Sequence, residues 1–171
     1  HESGTDRVAE VSAKLQLSDN DVVLNVQGDE PEINPATIDS LVGFMRESGS
    51  DFQIGTVAVP FSDDGPREGV GSPQDPNCVK VVIGTNSGAL YFSRSLIPFP
   101  RDTQGAIDRP SRWLLHLGIY AFRAKTLREI TRKMESAPSD DGDARSWNVL
   151  KRSESNRSLA LPALIARTES L

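Results

Sequence analysis

The sequence predicts an α/β domain on three observations. Apolar β-branched runs alternate with stretches of helical periodicity, the first two clear strands flank a helix, and 171 residues suffice for one domain with a buried core. Composition agrees, since 37% hydrophobic and 25% charged residues describe a globular chain. No apolar run approaches the roughly 18 residues a membrane span requires, so neither a membrane nor an integral-membrane function is expected. A formal net charge of −5 argues against a nucleic-acid partner, which clustered Lys and Arg would serve. Small anionic ligands held by a few local cations remain open. The single cysteine, Cys78, excludes an internal disulfide, and no signal-peptide pattern stands before the first strand, so a cytoplasmic setting is expected. Without a partner motif, Cys78 reads as a small buried hydrophobe.

The polar stretch 1–7 leads into Val8, Val11 and Leu15 at helical spacing, a short amphipathic helix with Ser3 or Thr5 as its cap. After a turn at 19–21, Val22, Val23, Leu24 and Val26 form a run suited to a strand covered on both faces. Pro35 opens a helix whose apolar positions are Ile38, Leu41, Val42 and Met45 and which closes near Gly49. Ile54–Val59 is the next strand, and the β-α-β order implies a parallel sheet with a right-handed crossover. Residues 60–77, rich in Pro, Gly, Asp and Ser, read as a surface loop. Val79–Ile83 and Ala89–Ser93 flank a Gly-Thr-Asn-Ser-Gly turn and predict an antiparallel hairpin. A second long loop leads to a strand over Leu114–Phe122 and a helix over Lys125–Met134. Beyond Glu135 the pattern deteriorates, with a last apolar patch at Leu159–Ala166.

Chemistry concentrates where the first strand ends, in Asn25-Val26-Gln27-Gly28-Asp29-Glu30-Pro31. In open α/β sheets ligands gather outside the carboxyl ends of strands. Gly28 lets backbone approach an anion, and Asp29 is a hard oxygen donor of the kind Mg²⁺ prefers. A solvated, helix-capping turn explains Asp29 and Glu30 equally well. His116 fits a hydrogen-bonded core or edge histidine, but alternation places it on one face with Gly118 and Tyr120, a plausible wall for a polar ligand. Lys80 and Arg94 read more readily as surface charges than as phosphate ligands. Arg101, Arg109 and Arg112 either clamp a carboxylate or are solvated. Trp113 and Trp147 read as packing residues.

The strings HESGTDRVAEV, VVLNVQGDEP, DPNCVKVV, GALYFSRSLIPFPR and HLGIYAFR, in that order, resemble the successive motifs of the 3-deoxy-manno-octulosonate (KDO) cytidylyltransferase family, the CMP-KDO synthetases. They span His1 to about Arg123, and NVQGDEP with ALYFSR is far more specific than a lone glycine motif. The resemblance implies a mixed, mainly parallel sheet flanked by helices, in the nucleotide-diphospho-sugar transferase architecture, assembled as a homodimer. The implied reaction joins CTP and KDO to give CMP-KDO and pyrophosphate, for lipopolysaccharide biosynthesis. By similarity Asp29 would ligate Mg²⁺, and Gln27 would lie at the reaction centre over nucleotide and sugar. Ser3, Gly4 and Thr5 would read the cytosine, with Arg7 beside them. His116 and Tyr120 would face the sugar acid.

The departures from the family pattern set further expectations. The family opens with a strand and a basic RLPGKPL-like phosphate loop, which nothing before His1 supplies. It continues with a LEQLR-like helix and a late VDTPEDL-like aspartate, the second metal ligand, and the sequence from Asp141 onward matches neither. Such an abrupt loss near residue 140 is what a change of reading frame or a bad splice of sequence would produce. The expected organisation is therefore a partial cytidylyltransferase domain over 1–134 and a divergent, poorly ordered tail over 135–171, truncated at the N-terminus. With one carboxylate for a metal that normally has two, this chain alone is expected to be impaired. The alternatives are a cytidylyltransferase for another acid sugar of the sialic acid type, and a catalytically inactive fragment that only binds or dimerises.

Overall fold

A computed structural model describes residues 4–26, 33–47, 52–85, 88–135 and 161–165. Along the chain the elements are α1 (Gly4–Lys14), β1 (Val22–Asn25), α2 (Pro35–Glu47), β2 (Ile54–Pro60), β3 (Lys80–Ile83), β4 (Gly88–Ser93), β5 (Leu114–Arg123), α3 (Ala124–Glu135) and β6 (Leu161–Ile165). Two 3-10 turns, Arg101–Thr103 and Pro110–Arg112, lie in the loop before β5.

β5 organises the sheet. One side of it pairs antiparallel with β2 along nearly its whole length, from Pro60↔Leu114 to Ile54↔Phe122. Its other side is shared by β3, at Lys80↔Leu115, and by β1, at Asn25↔Tyr120 through Val22↔Arg123. β3 and β4 form the expected antiparallel hairpin, and β6 lies between β2 and β4. The architecture is the expected mixed sheet flanked by helices, but its pairing departs from the mainly parallel reading. Among the described pairings only β2 with β6 is parallel. β1 and β2 run in the same direction, as β-α-β requires, yet β5 slots between them. Sequence order names the crossover but not the strand that will fill the gap.

The helices cover both faces. Asn34 accepts the Ala36 amide at 2.9 Å, and Pro35 occupies the first helical position, so α2 starts on a side-chain cap. Its Leu41 and Met45 pack with Val57, Ile119 and Ala121 on one face of the sheet. The approach is close because Gly55 is there: a Cβ on it would fall 2.9 Å from Met45 Sδ and 3.0 Å from Leu41 Cδ1. On the opposite face Ala9 of α1 and Leu127 and Ile130 of α3 cover Ile54 and Phe122.

Two basic side chains tie distant segments together inside the fold. Arg123 donates to the carbonyl oxygens of Asn20, at 2.9 Å, and of Met45, joining the turn before β1 to the end of α2. Lys80 is fully buried, and its ammonium donates to the carbonyls of Asp75 (2.8 Å), Cys78 (2.5 Å) and Arg94 (2.7 Å). The surface-charge reading of Lys80 is thereby corrected, since loop carbonyls with no ladder partners draw the cation inward. Arg94 itself is exposed and donates to the Pro76 carbonyl. The 60–77 loop is pinned as well, with Asp75 accepting from the amides of Gly71 and Asn77 at 2.8 Å each.

Ser12 of α1 is 1% exposed, and its hydroxyl has no hydrogen-bond partner among the described residues. Ser12→Ala is therefore expected to raise the unfolding free energy by about 1 kcal/mol, because it removes a desolvated, unpaired polar group. A urea-melt midpoint below that of the wild type would contradict this.

Candidate substrate site

β5 carries a row of rings on the face shared with α1 and α3. Phe92 and His116 meet edge to face at 4.8 Å between centroids, His116 and Tyr120 at 5.4 Å, and Tyr120 stacks with Phe122 at 6.0 Å. His116 and Tyr120 are four apart on β5 while their β2 partners, Ala58 and Thr56, are two apart. β5 therefore bulges by two residues, and Gly118 within it has φ 71°, a backbone conformation glycine adopts without penalty. The bulge adds an even number of residues, so His116 and Tyr120 keep the same face. Thr56, wholly buried on β2, sits against them, with its hydroxyl 2.8 Å from His116 Nε2 and 2.7 Å from the Ile119 carbonyl oxygen.

Burial sets the electrostatics of this wall. It pushes His116 down from 6.5 to about 4 and Tyr120 up to about 12, so both are neutral near pH 7. The histidine is a hydrogen-bonding group and not a cation here, and the tyrosine keeps its phenolic proton. Both rings remain partly accessible. The wall can stack on an apolar or ring-shaped surface and hydrogen-bond a polar edge.

The strand register relates this wall to the other predicted residues. Tyr120 has Asn25 as one neighbour and Thr56 as the other, so the carboxyl end of β1 lies beside the ring row. Gln27 and Asp29 follow two and four residues after Asn25 and lie, like Ser3, outside the described residues. Gly4 and Thr5 fall in the first turn of α1, and Arg7, one turn on, is exposed. Val8 of α1 packs against the same cluster as Tyr120, so the helix start and the ring row belong to one face of the sheet. Among the described residues no three His, Cys, Asp or Glu side chains gather as a metal-binding group.

The loop arginines are held at the surface. Arg109 meets Asp63 at 3.3 Å, Arg112 meets Asp108 at 3.1 Å, and Arg101 lies 3.8 Å from Asp102 with its side chain 92% exposed. Trp113 packs with Phe61 and Ile107, as its packing reading expects, and its indole donates to the Pro98 carbonyl. Cys78 is half-buried, and burial raises its thiol above the ordinary range, leaving it protonated. Sequence reading overlooked Thr56 and Phe92. A signal for the first was present, since Thr56 interrupts the apolar run Ile54-Gly-Thr-Val-Ala-Val. Phe92 gave none, because nothing in GALYFS tells which ring meets β5.

A family model described as cytidylyltransferase matches residues 1–160. A 3-deoxy-manno-octulosonate cytidylyltransferase of Polynucleobacter necessarius is 44% identical over 138 residues, 81% of this chain and 51% of that protein. An 8-amino-3,8-dideoxy-manno-octulosonate cytidylyltransferase of Shewanella pealeana is 42% identical over 126 residues, 74% of this chain and 47% of the relative. Among solved structures, a CMP:2-keto-3-deoxy-manno-octonic acid synthetase complexed with CTP superposes with a TM-score of 0.72 at 30% identity, covering 98% of this chain and 61% of that one. The chain spans about half the length of the curated relatives it matches.

Proposed function

The chain belongs to the cytidylyltransferase family, and on that footing we propose that its protein transfers the cytidylyl group of CTP to KDO, giving CMP-KDO and pyrophosphate. The observation that carries the proposal is the 44% identity, across most of this chain, to a relative named for that sugar acid. The ring row of His116 and Tyr120 beside the carboxyl end of β1 supports it, because it offers a neutral hydrogen-bonding wall next to Asn25.

In this reading the sugar's anomeric hydroxyl attacks the α-phosphate of CTP and pyrophosphate leaves. Positioning and charge neutralisation supply the rate. Ser3, Gly4 and Thr5 read the base, Arg7 adds a cation near the nucleotide, Gln27 lies over the reacting groups, and His116 and Tyr120 hold the sugar. Asp29 is the proposed Mg²⁺ ligand, a carboxylate being the hard donor that ion prefers. When bound, Mg²⁺ would neutralise triphosphate charge and acidify the attacking hydroxyl. The proposal extends to a cytoplasmic homodimer acting ahead of lipopolysaccharide assembly. Exposed Leu90 and Tyr91 on β4 offer apolar surface for a second copy. Among the described residues no helix is long and apolar enough to cross a membrane.

The test is to assay the complete reading frame with CTP, KDO and Mg²⁺. Release of pyrophosphate with formation of CMP-KDO is expected, and its absence would overturn the reading. Asp29→Asn should weaken Mg²⁺-dependent CTP binding about tenfold by calorimetry, or about 1.4 kcal/mol. The Shewanella relative makes the 8-amino sugar the acceptor to compare: a higher kcat/KM for it than for KDO would change the acceptor and leave the reaction class standing.

A further inference from the structure

The Thr56 hydroxyl lies within hydrogen-bonding distance of two groups, His116 Nε2 at 2.8 Å and the Ile119 carbonyl oxygen at 2.7 Å, and has one proton for both. A carbonyl oxygen can only accept. Were the proton turned toward the histidine, two oxygens would face each other at 2.7 Å with no hydrogen between them, in a place where Thr56 is wholly buried. The hydroxyl therefore donates to Ile119, and its oxygen receives the proton of Nε2. A neutral imidazole has one N–H, so Nδ1 is left with a bare lone pair.

From this geometry we infer that Thr56 is a positioning residue that fixes His116 as the Nε2–H tautomer, so that Nδ1 accepts a hydrogen bond from a hydroxyl of the sugar acid. The inference rests on the sugar-site reading of His116 given above and adds a polarity to it. An acceptor nitrogen repels a carboxylate, so His116 takes the polyol side of the sugar and the acid group turns away from Nδ1. Its burial between Phe92 and Tyr120 supports the neutral ring, since that burial lowers its titration to about 4. The bulge at Gly118 is what makes the arrangement available, since Ile119 lies within it and presents its carbonyl to Thr56.

Nitrogen-15 NMR of histidine-labelled protein at neutral pH reads the tautomer directly. The chain has two histidines, and the spectrum of His116→Gln identifies His1. His116 should show the Nε2–H pattern; an Nδ1–H or doubly protonated ring would overturn the inference before any substrate is added. Thr56→Val keeps the shape but can neither donate nor accept, and should give a mixture of tautomers, which Thr56→Ser should reverse. A wild-type tautomer in Thr56→Val would remove the positioning role. Added KDO should move the Nδ1 resonance in the wild type and in Thr56→Ser, with affinity about tenfold lower in Thr56→Val. An Nε2–H ring whose Nδ1 ignores the sugar would refute the recognition half. Because the tautomer is measured before any sugar is added, its failure is distinct from failure of the pyrophosphate assay.

Discussion

Lys80→Ala is expected to lower the unfolding free energy by about 3–5 kcal/mol, the range for leaving buried polar groups of a charged cluster unpaired. All three ammonium protons are engaged by carbonyls, of Asp75, Cys78 and Arg94, and the side chain is 0% exposed. Alanine would take the ammonium from all three carbonyls, leaving the Asp75 carbonyl with only the Cys78 amide at 3.1 Å, and would open a void where the stem had been. The cluster joins the end of the 60–77 loop to the start of β3 and the end of β4, so its loss should loosen the whole hairpin base. Lys80→Met separates the two contributions, because it refills the space without restoring a donor. Denaturant melts should place Lys80→Met closer to Lys80→Ala than to the wild type. Wild-type stability in Lys80→Met would show that the three hydrogen bonds add nothing. Arg94→Ala, which removes one exposed contact to the Pro76 carbonyl, should change stability by less than about 1 kcal/mol.

The second large effect is on pH. His116 titrates at 6.5 when unfolded and at about 4 when folded, lowered by burial. Between those values the unfolded chain binds the proton more readily, so acid favours unfolding. Stability is fully present above 6.5 and falls as pH drops toward 4, by about 3 kcal/mol in total. Asp63 and Asp75 act in a lower window. Hydrogen bonds from Ser111, backbone and then side chain, chiefly lower the first, and the amides of Gly71 and Asn77 lower the second. Their depressed values mean that the stability they contribute is lost only as pH falls through 3.8 and below. Urea midpoints measured from pH 7 to pH 4 should therefore decline in the wild type and stay flat in His116→Gln. An equal slope in both proteins would place the titrating group elsewhere.

Much of the fold was legible because it depends on local patterns. The Pro35 helix start, the Gly84 to Gly88 turn signal and the apolar run of Leu114–Phe122 announce their elements, and structure and sequence agree on those elements to within a few residues. Strand neighbours were not legible. Nothing near Val22 or Ile54 says that residues some sixty to one hundred positions later will lie between them. His116 and Tyr120 could be put on one face from alternation, and this survived a bulge that a strict period of two would not foresee, because two extra residues preserve parity. Lys80 was misread for a different reason. A lysine beside an apolar run looks solvent-bound until the loop carbonyls that hold it are in place. Asp29 and Gln27 were singled out by motif, and their placement lies outside the described residues.

The late position of β5 has a consequence for synthesis. As the chain leaves the ribosome, β1 and β2 emerge long before the strand that joins them, and each waits with its hydrogen-bonding edge open until about residue 123 has appeared. The β3–β4 hairpin can close on its own from neighbouring residues, but the rest of the sheet must await β5 and then β6, a topology rich in distant contacts that folds slowly. The nascent first half of the protein is thus the part that most needs shielding from other chains.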